Sequence, residues 1–141
     1  MYKRQEYAAR ARTTSAYSFG DDPAQLPAHA WFAENSENKL YPVGTLQPNL
    51  WQLFDMHGNV REWVWDAYDA SYGLDVAQLT DVKHLTIDPG GPVPFVGDRA
   101  LRGDSFGGPR RLRSASRNRD GPSVRFWYIG FRCVRATRPQ P

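Results

Sequence analysis

The chain has 141 residues, 40% of them hydrophobic, 13% aromatic and 23% charged, with a formal net charge of +3. This is the balance of one globular domain and not of a disordered segment. No run of 18 apolar residues occurs, which excludes a membrane-spanning helix, and the single cysteine, Cys133, excludes an internal disulfide framework or a multi-cysteine zinc site.

Read in order, Met1 to Glu6 leads into no apolar core and so does not make a signal peptide. Glu6–Arg12 is Ala-rich and predicts a helix. Residues 18–30 form a polar loop around Gly20-Asp21-Asp22-Pro23, and Trp31–Ser36 reads as a helical turn or a short strand. Tyr41-Pro42-Val43-Gly44 and Gln47-Pro48-Asn49 punctuate a second loop. Leu53–Asp66 is the densest aromatic stretch and reads as a tight turn feeding an extended segment, although Val60, Trp63 and Val64 also suit a helix and periodicity does not arbitrate. Residues 67–98 read as a long polar connection. Strands are predicted over Arg99–Gly103, ending at the glycine, through Leu112–Ser116, and over Tyr128–Val134; residues 138–141 are a frayed end. With 12 glycines, 11 prolines and a mean hydropathy of −0.64, many turns and little regular structure are expected. His29, His57 and His84 lie too far apart for a histidine metal centre. Gly107-Gly108 lacks the Lys-Ser/Thr of a phosphate loop.

Three stretches in fixed order, Asp55-Met56-His57-Gly58-Asn59-Val60-Arg61-Glu62-Trp63, Leu101-Arg102-Gly103 and Ile129-Gly130-Phe131-Arg132, join Glu6-Tyr7-Ala8-Ala9-Arg10 and Tyr41-Pro42-Val43-Gly44. Together they resemble the formylglycine-generating enzyme, or sulfatase-modifying factor, family over nearly the whole chain. The resemblance implies an α+β, C-type-lectin-like fold. It also implies N-terminal truncation, because Glu-Tyr-Ala-Ala-Arg falls near the middle of the family's domain. Residues 1–141 are thus expected to be the C-terminal part of one such domain, with residues 1–5 read as non-native because Gln5 replaces the family's Trp. The chain departs from the pattern at Gln52, where Gly is usual, at Arg61, where Trp is usual, and at Asp104, where a second Gly is usual. An Asp there is tolerable only at a φ that Asp accepts.

Oxidases of this family use two cysteines of the C-terminal segment with copper(I). The matching segment, Arg113-Ser114-Ala115-Ser116-Arg117, has serine where the family has cysteine, and a serine hydroxyl is a hard donor unsuited to copper(I). No catalytic residue and no copper are assigned, and Cys133 reads as a packed, inert thiol. The resemblance further implies a structural calcium site from the side chains of Asp55 and Glu62 and the carbonyls of Gly58 and Val60, an all-oxygen set of the kind calcium takes. The alternative is that both carboxylates cap backbone or bridge to arginines.

The net charge conceals an asymmetry: residues 99–138 carry 11 arginines, no lysine and two aspartates, a net +9, against −6 for residues 1–98. Arg102, Arg113, Arg117 and Arg132 lie inside family motifs and are expected to pair with the acidic body; Arg110, Arg111, Arg119 and Arg125 are expected on the surface. Asp104, Phe106, Arg110, Asn118, Asp120, Ser123, Arg125, Phe126, Trp127 and Tyr128 form the candidate ligand-binding set, a recognition-surface composition. Their placement before Ile129-Gly130-Phe131-Arg132 resembles the variable segment of retroelement-diversified binding proteins of this fold. The alternative is that two of the three aromatics pack under the loop. The expectation is a monomeric module that binds a protein or small-molecule ligand through residues 104–128, with no nucleic acid and no membrane span. The runner-up is the substrate-binding half of a nonheme-iron sulfoxide-synthase-type enzyme whose metal domain is missing. No compartment is assigned.

Overall fold

The computed structural model describes residues 2–68 and 97–134, those of Tyr2 and Lys3 by backbone only. The predicted connection at 67–98 and the frayed end at 138–141 therefore lie largely or wholly outside the described residues.

Helix α1 spans Tyr2–Arg10, so the N-terminal helix starts earlier and ends sooner than its alanines predict. An i,i+4 pair between Arg10 and Glu6 at 2.9 Å supports it. It stops where Ala11 and Arg12 turn left-handed, at φ 46° and 78°. Asn49 fastens that end: its Nδ2 donates to the carbonyls of Ala8 and Ala9, and its Oδ1 accepts from the amides of Trp51 and Leu53. A 3-10 turn at Pro23–Gln25, capped by Asp22, leads into the short helix α2, Leu26–His29. Trp31–Ser36 resolves into an isolated bridge at Trp31, to Gly58, followed by a hydrogen-bonded turn.

Four strands form one mixed sheet: β1 Arg61–Ala67, β2 Arg99–Arg102, β3 Arg117–Asp120 and β4 Ile129–Gly130, in the order β3-β2-β1-β4. β1 pairs antiparallel with β2, β2 antiparallel with β3, and β1 parallel with β4. The extended segment after the turn and the strand ending at Gly103 form as their sequences predict. The third strand does not. Pro109 opens a 3-10 turn, Pro109–Leu112, in place of the predicted Leu112–Ser116 strand, and the ladder begins at Arg117. The last strand has only two residues, so Cys133 lies beyond it and is exposed, not packed.

Two apolar clusters hold this frame. Tyr17, Leu26, Ala30, Phe32 and Leu112 form one, with Ala16 and Phe19 against it; Val64 and Ala100 form the other with Tyr68. His57 is buried between loops of the first cluster. Its Nδ1 lies 2.7 Å from the carbonyl of Leu112, and its Nε2 accepts the Ser18 amide at 3.2 Å. The Ser18 amide can only donate, so His57 is the neutral tautomer with hydrogen on Nδ1. Burial lowers its pKa to about 4, against the raising effect of the Leu112 hydrogen bond.

Candidate functional site

The Gly-Asn turn that precedes β1 is built for close approach. Gly58 sits at φ 77°, and a Cβ there would come within 2.2 Å of the Trp31 carbonyl oxygen. Asn59, also left-handed at φ 60°, exchanges hydrogen bonds with the backbone of Tyr41 through its side chain. This turn delivers Arg61 and Glu62 to opposite faces of β1, where each meets a different partner.

Arg61 is the hinge of the candidate surface. Its Nε donates to Asp104 Oδ1 at 2.9 Å, and its guanidinium lies 5.6 Å from the Tyr128 ring centroid. Asp104 is buried, its side chain 3% exposed, and it also accepts the Ser105 amide. Its φ is not left-handed, whereas the preceding Gly103 takes φ 69°, so the aspartate fits its family-glycine position without backbone strain. Among the described residues its Oδ2 has no hydrogen-bond partner, and it fills the space where a Cβ on Gly107 would be, at 2.1 Å. Asp104 is therefore a buried anchor for Arg61 that still contributes to the lining of the groove.

On one side of Arg61 stands an aromatic ledge. Phe106 lies 5.0 Å from Trp127 and 6.1 Å from Tyr128; Phe126 stacks on Tyr128 at 5.1 Å, and Trp127 meets Tyr128 edge-on at 5.6 Å. Tyr128 and Phe106 are half-buried, while Phe126 is 46% and Trp127 59% exposed. One of the three consecutive aromatics thus supports the ledge and two face outward. On the other side, Gly103, Asp104, Arg110, Arg111, Ser116, Arg117 and Asn118 line an open groove of about 420 Å³. Ser116 Oγ donates to the Arg110 carbonyl and ties the 3-10 turn to β3. Of the predicted set, the structure brings together Phe106, Phe126, Trp127 and Tyr128, and separately Asp104, Arg110 and Asn118. Asp120 ends β3; Ser123 and Arg125 are exposed on the following turn. Sequence reasoning missed Arg61 and Arg111. The signal for Arg61 was its place in a position where the family has Trp.

Glu62 faces the other way. Arg132 clamps it with Nε on Oε2 and Nη2 on Oε1, both at 2.6 Å, and also donates to the carbonyls of Phe54 and Asp55. Gln5 Nε2 donates to Oε2 at 2.5 Å. Burial lowers the Arg132 pKa, and the Glu62 hydrogen bonds and charge outweigh it, holding the guanidinium above its ordinary value. Asp55 turns its Oδ2 to the amide of Gly44 at 2.8 Å. Among the described residues no three acidic, histidine or cysteine side chains cluster around a common point. A calcium ion on Asp55, Gly58, Val60 and Glu62 would have to compete with the Arg132 guanidinium for Glu62.

The motif arginines divide. Arg102, 3% exposed, pairs with Glu6 at 2.5 Å and donates to the carbonyls of Ala115 and Ser116. Arg117 lies 5.0 Å from the Tyr68 ring. Arg113, expected to pair, is exposed and makes no ion pair among the described residues. The 3-10 turn rotates it to solvent in place of the predicted strand. Arg110, Arg111, Arg119 and Arg125 are exposed as expected.

A small mixed sheet with few helices, long ordered loops and a loop-borne surface beside its last strands defines an α+β domain of the C-type-lectin-like kind. The chain belongs to the Sulfatase-modifying factor enzyme 1-like domain family, which it matches over residues 3–137. It is 31% identical to the formylglycine-generating enzyme of Mycobacterium tuberculosis over 92% of this chain and 48% of that protein. It is also 32% identical to serine/threonine-protein kinase pkn1 of Chlamydia pneumoniae over 84% of this chain and 17% of that one. Among solved structures, it superposes on Treponema denticola variable protein 1 with a TM-score of 0.75 at 30% identity, covering 93% of this chain and 44% of that one. PvdO from Pseudomonas aeruginosa gives 0.73 at 30% identity, with 92% and 49% covered. The chain spans about half the length of the formylglycine-generating enzyme and of these two structures.

Proposed function

We propose that this domain is a binding module without oxidase activity, and that it holds a protein or small-molecule ligand on the surface of residues 104–128. The observation that carries this reading is the exposed pair Phe126 and Trp127, set on Tyr128 and joined through Arg61 to the groove at Arg110 and Asn118. Exposed rings fixed by other rings are a low-entropy contact surface, the form that recognition surfaces take. Serine at the Arg-x-Ala-x-Arg position and a lone exposed Cys133 support the non-oxidase half. The likeness to a structure titled a variable protein supports genetic diversification of this segment.

Panning a random-peptide display library against the intact protein tests the reading. Binders are expected to be lost on Phe126→Ser with Trp127→Ser and retained on Val43→Ser with Leu50→Ser, a pair of exposed apolar residues elsewhere. Binders indifferent to the first pair refute the surface assignment. Aldehyde formation on a sulfatase cysteine peptide with copper(I) and oxygen refutes the non-oxidase half. A near-identical template repeat beside the gene would establish diversification.

A further inference from the structure

We infer that the occupant of this surface is an acidic segment of a partner protein that carries an aromatic or large apolar side chain. The inference rests on the binding role proposed for residues 104–128 and adds the ligand's chemistry.

The charge inventory carries it. Among the described residues, Asp104 is buried against Arg61 through Oδ1, Asp98 pairs with Arg119 at 3.4 Å, and Asp120 closes β3 away from the groove lining. Arg110 and Arg111, by contrast, are both exposed on the groove wall and make no ion pair among the described residues. These two neighbouring arginines line a groove in which Asp104, the one carboxylate among the described lining residues, is already paired with Arg61 through Oδ1. Carboxylates are the side chains whose geometry matches that planar fork.

The ledge supplies the second half of the specificity. Arg61 touches both Asp104 and Tyr128, so the groove and the ledge are parts of one face. In the proposed complex a carboxylate at Arg110 and Arg111 and an apolar side chain at Trp127 and Phe126 belong to one extended segment. The groove is open and its wall is polar, unlike the enclosed apolar pockets that small molecules fill. It suits an extended chain. A protein segment is favoured over a nucleic acid because the rings pack on one another at 5.0–5.6 Å and do not stand as separate platforms for successive bases.

The test is fluorescence anisotropy with the full chain and four labelled probes. Three are capped dodecapeptides alternating glutamate, glutamine or lysine with tyrosine and leucine; the fourth is oligodeoxythymidine of 12 nucleotides. Expected are binding of the glutamate peptide at least tenfold tighter than the glutamine peptide, and loss of that margin in Arg110→Gln with Arg111→Gln. Tenfold weakening of both peptides is expected in Trp127→Ala, and no binding of the lysine peptide. These positions are exposed, and unchanged thermal melting confirms that the variants fold. Equal affinity for the glutamate and glutamine peptides, lost in Trp127→Ala, overturns the acidic ligand and leaves the binding surface standing. Glutamate-peptide binding untouched by any of these variants overturns both. Binding to none of the probes, or tighter binding to the oligonucleotide, overturns the inference.

Discussion

His57 makes the fold of this domain pH-dependent in a way that can be isolated. Its folded pKa is about 4 against an ordinary 6.5, because burial disfavours the charged ring. Protonating Nε2 would also turn the acceptor of the Ser18 amide into a donor facing a donor. A group whose folded pKa is depressed binds its proton better when the chain is unfolded. Stability is therefore whole above pH 6.5, falls as the pH drops below it, and reaches its full loss near pH 4. The gap corresponds to about 3 kcal/mol. That is a large fraction of a typical domain's stability. Urea unfolding from pH 8 to pH 3.5, compared between the native chain and His57→Gln, measures it. The carboxylates titrate in both proteins and cancel in the difference. The native chain is expected to lose about 3 kcal/mol more than the variant, with the divergence beginning near pH 6.5. Parallel curves, or a His57 ring that titrates near 6.5 by NMR in the folded protein, would refute the tautomer and burial argument.

Three further outcomes are expected. Thermal melting of the native chain does not move with millimolar calcium or with chelator, whereas Arg132→Met lowers stability by about 2 kcal/mol; this is the loss expected for an uncompensated carboxylate, reduced for the partial exposure of the pair. Gly107→Ala costs about 1–3 kcal/mol by overpacking, because its Cβ meets Asp104 Oδ2 at 2.1 Å and Arg111 Cδ at 2.8 Å, and equal denaturation midpoints would contradict the packing. Gln52→Gly raises stability by about 0.5 kcal/mol, since Gln52 holds φ 59° in the position where the family has Gly; a loss on chemical denaturation would show that its side chain matters more than its backbone.

The motifs that made the fold legible are those in which backbone geometry allows one residue type. Gly58 and Asn59 are fixed by the left-handed turn against Trp31, and Gly103 by the end of β2. Strand β1 was expected as an extended segment after the tight turn and not from its periodicity, since its alternation buries Glu62, Val64 and Asp66 and leaves Trp65 exposed. The segment 109–116 was misread because Leu112 and Ala115 mimic a strand's apolar content while Pro109 sets a 3-10 turn that composition does not weigh. Arg132 was read correctly as a pairing residue, but its partner lies 70 positions away. The same sequence distance hid that Arg132 and a cation would compete for Glu62. The aromatic ledge was legible as composition only; which ring supports and which faces solvent follows from the two-residue strand β4 and the turn before it.

The two departures from the family pattern that looked independent in sequence are one feature in the structure. Arg61 stands where Trp is usual and Asp104 where Gly is usual, and they form a 2.9 Å pair with the aspartate 3% and the arginine 18% exposed. The two depend on each other: a buried carboxylate is stabilised by its cation, and the guanidinium packed on Tyr128 by its anion. Asp104→Gly alone is expected to cost about 2 kcal/mol and Arg61→Trp alone about 3 kcal/mol, since the latter leaves a buried charge. The double variant restores the family's pair and is expected to fall at least 2 kcal/mol short of the sum. Additive losses in a urea double-mutant cycle would mean that the two residues act separately. Coupling with loss of peptide capture in the Arg61→Trp chain would show that the exchange that tolerates Asp104 also joins the groove to the ledge.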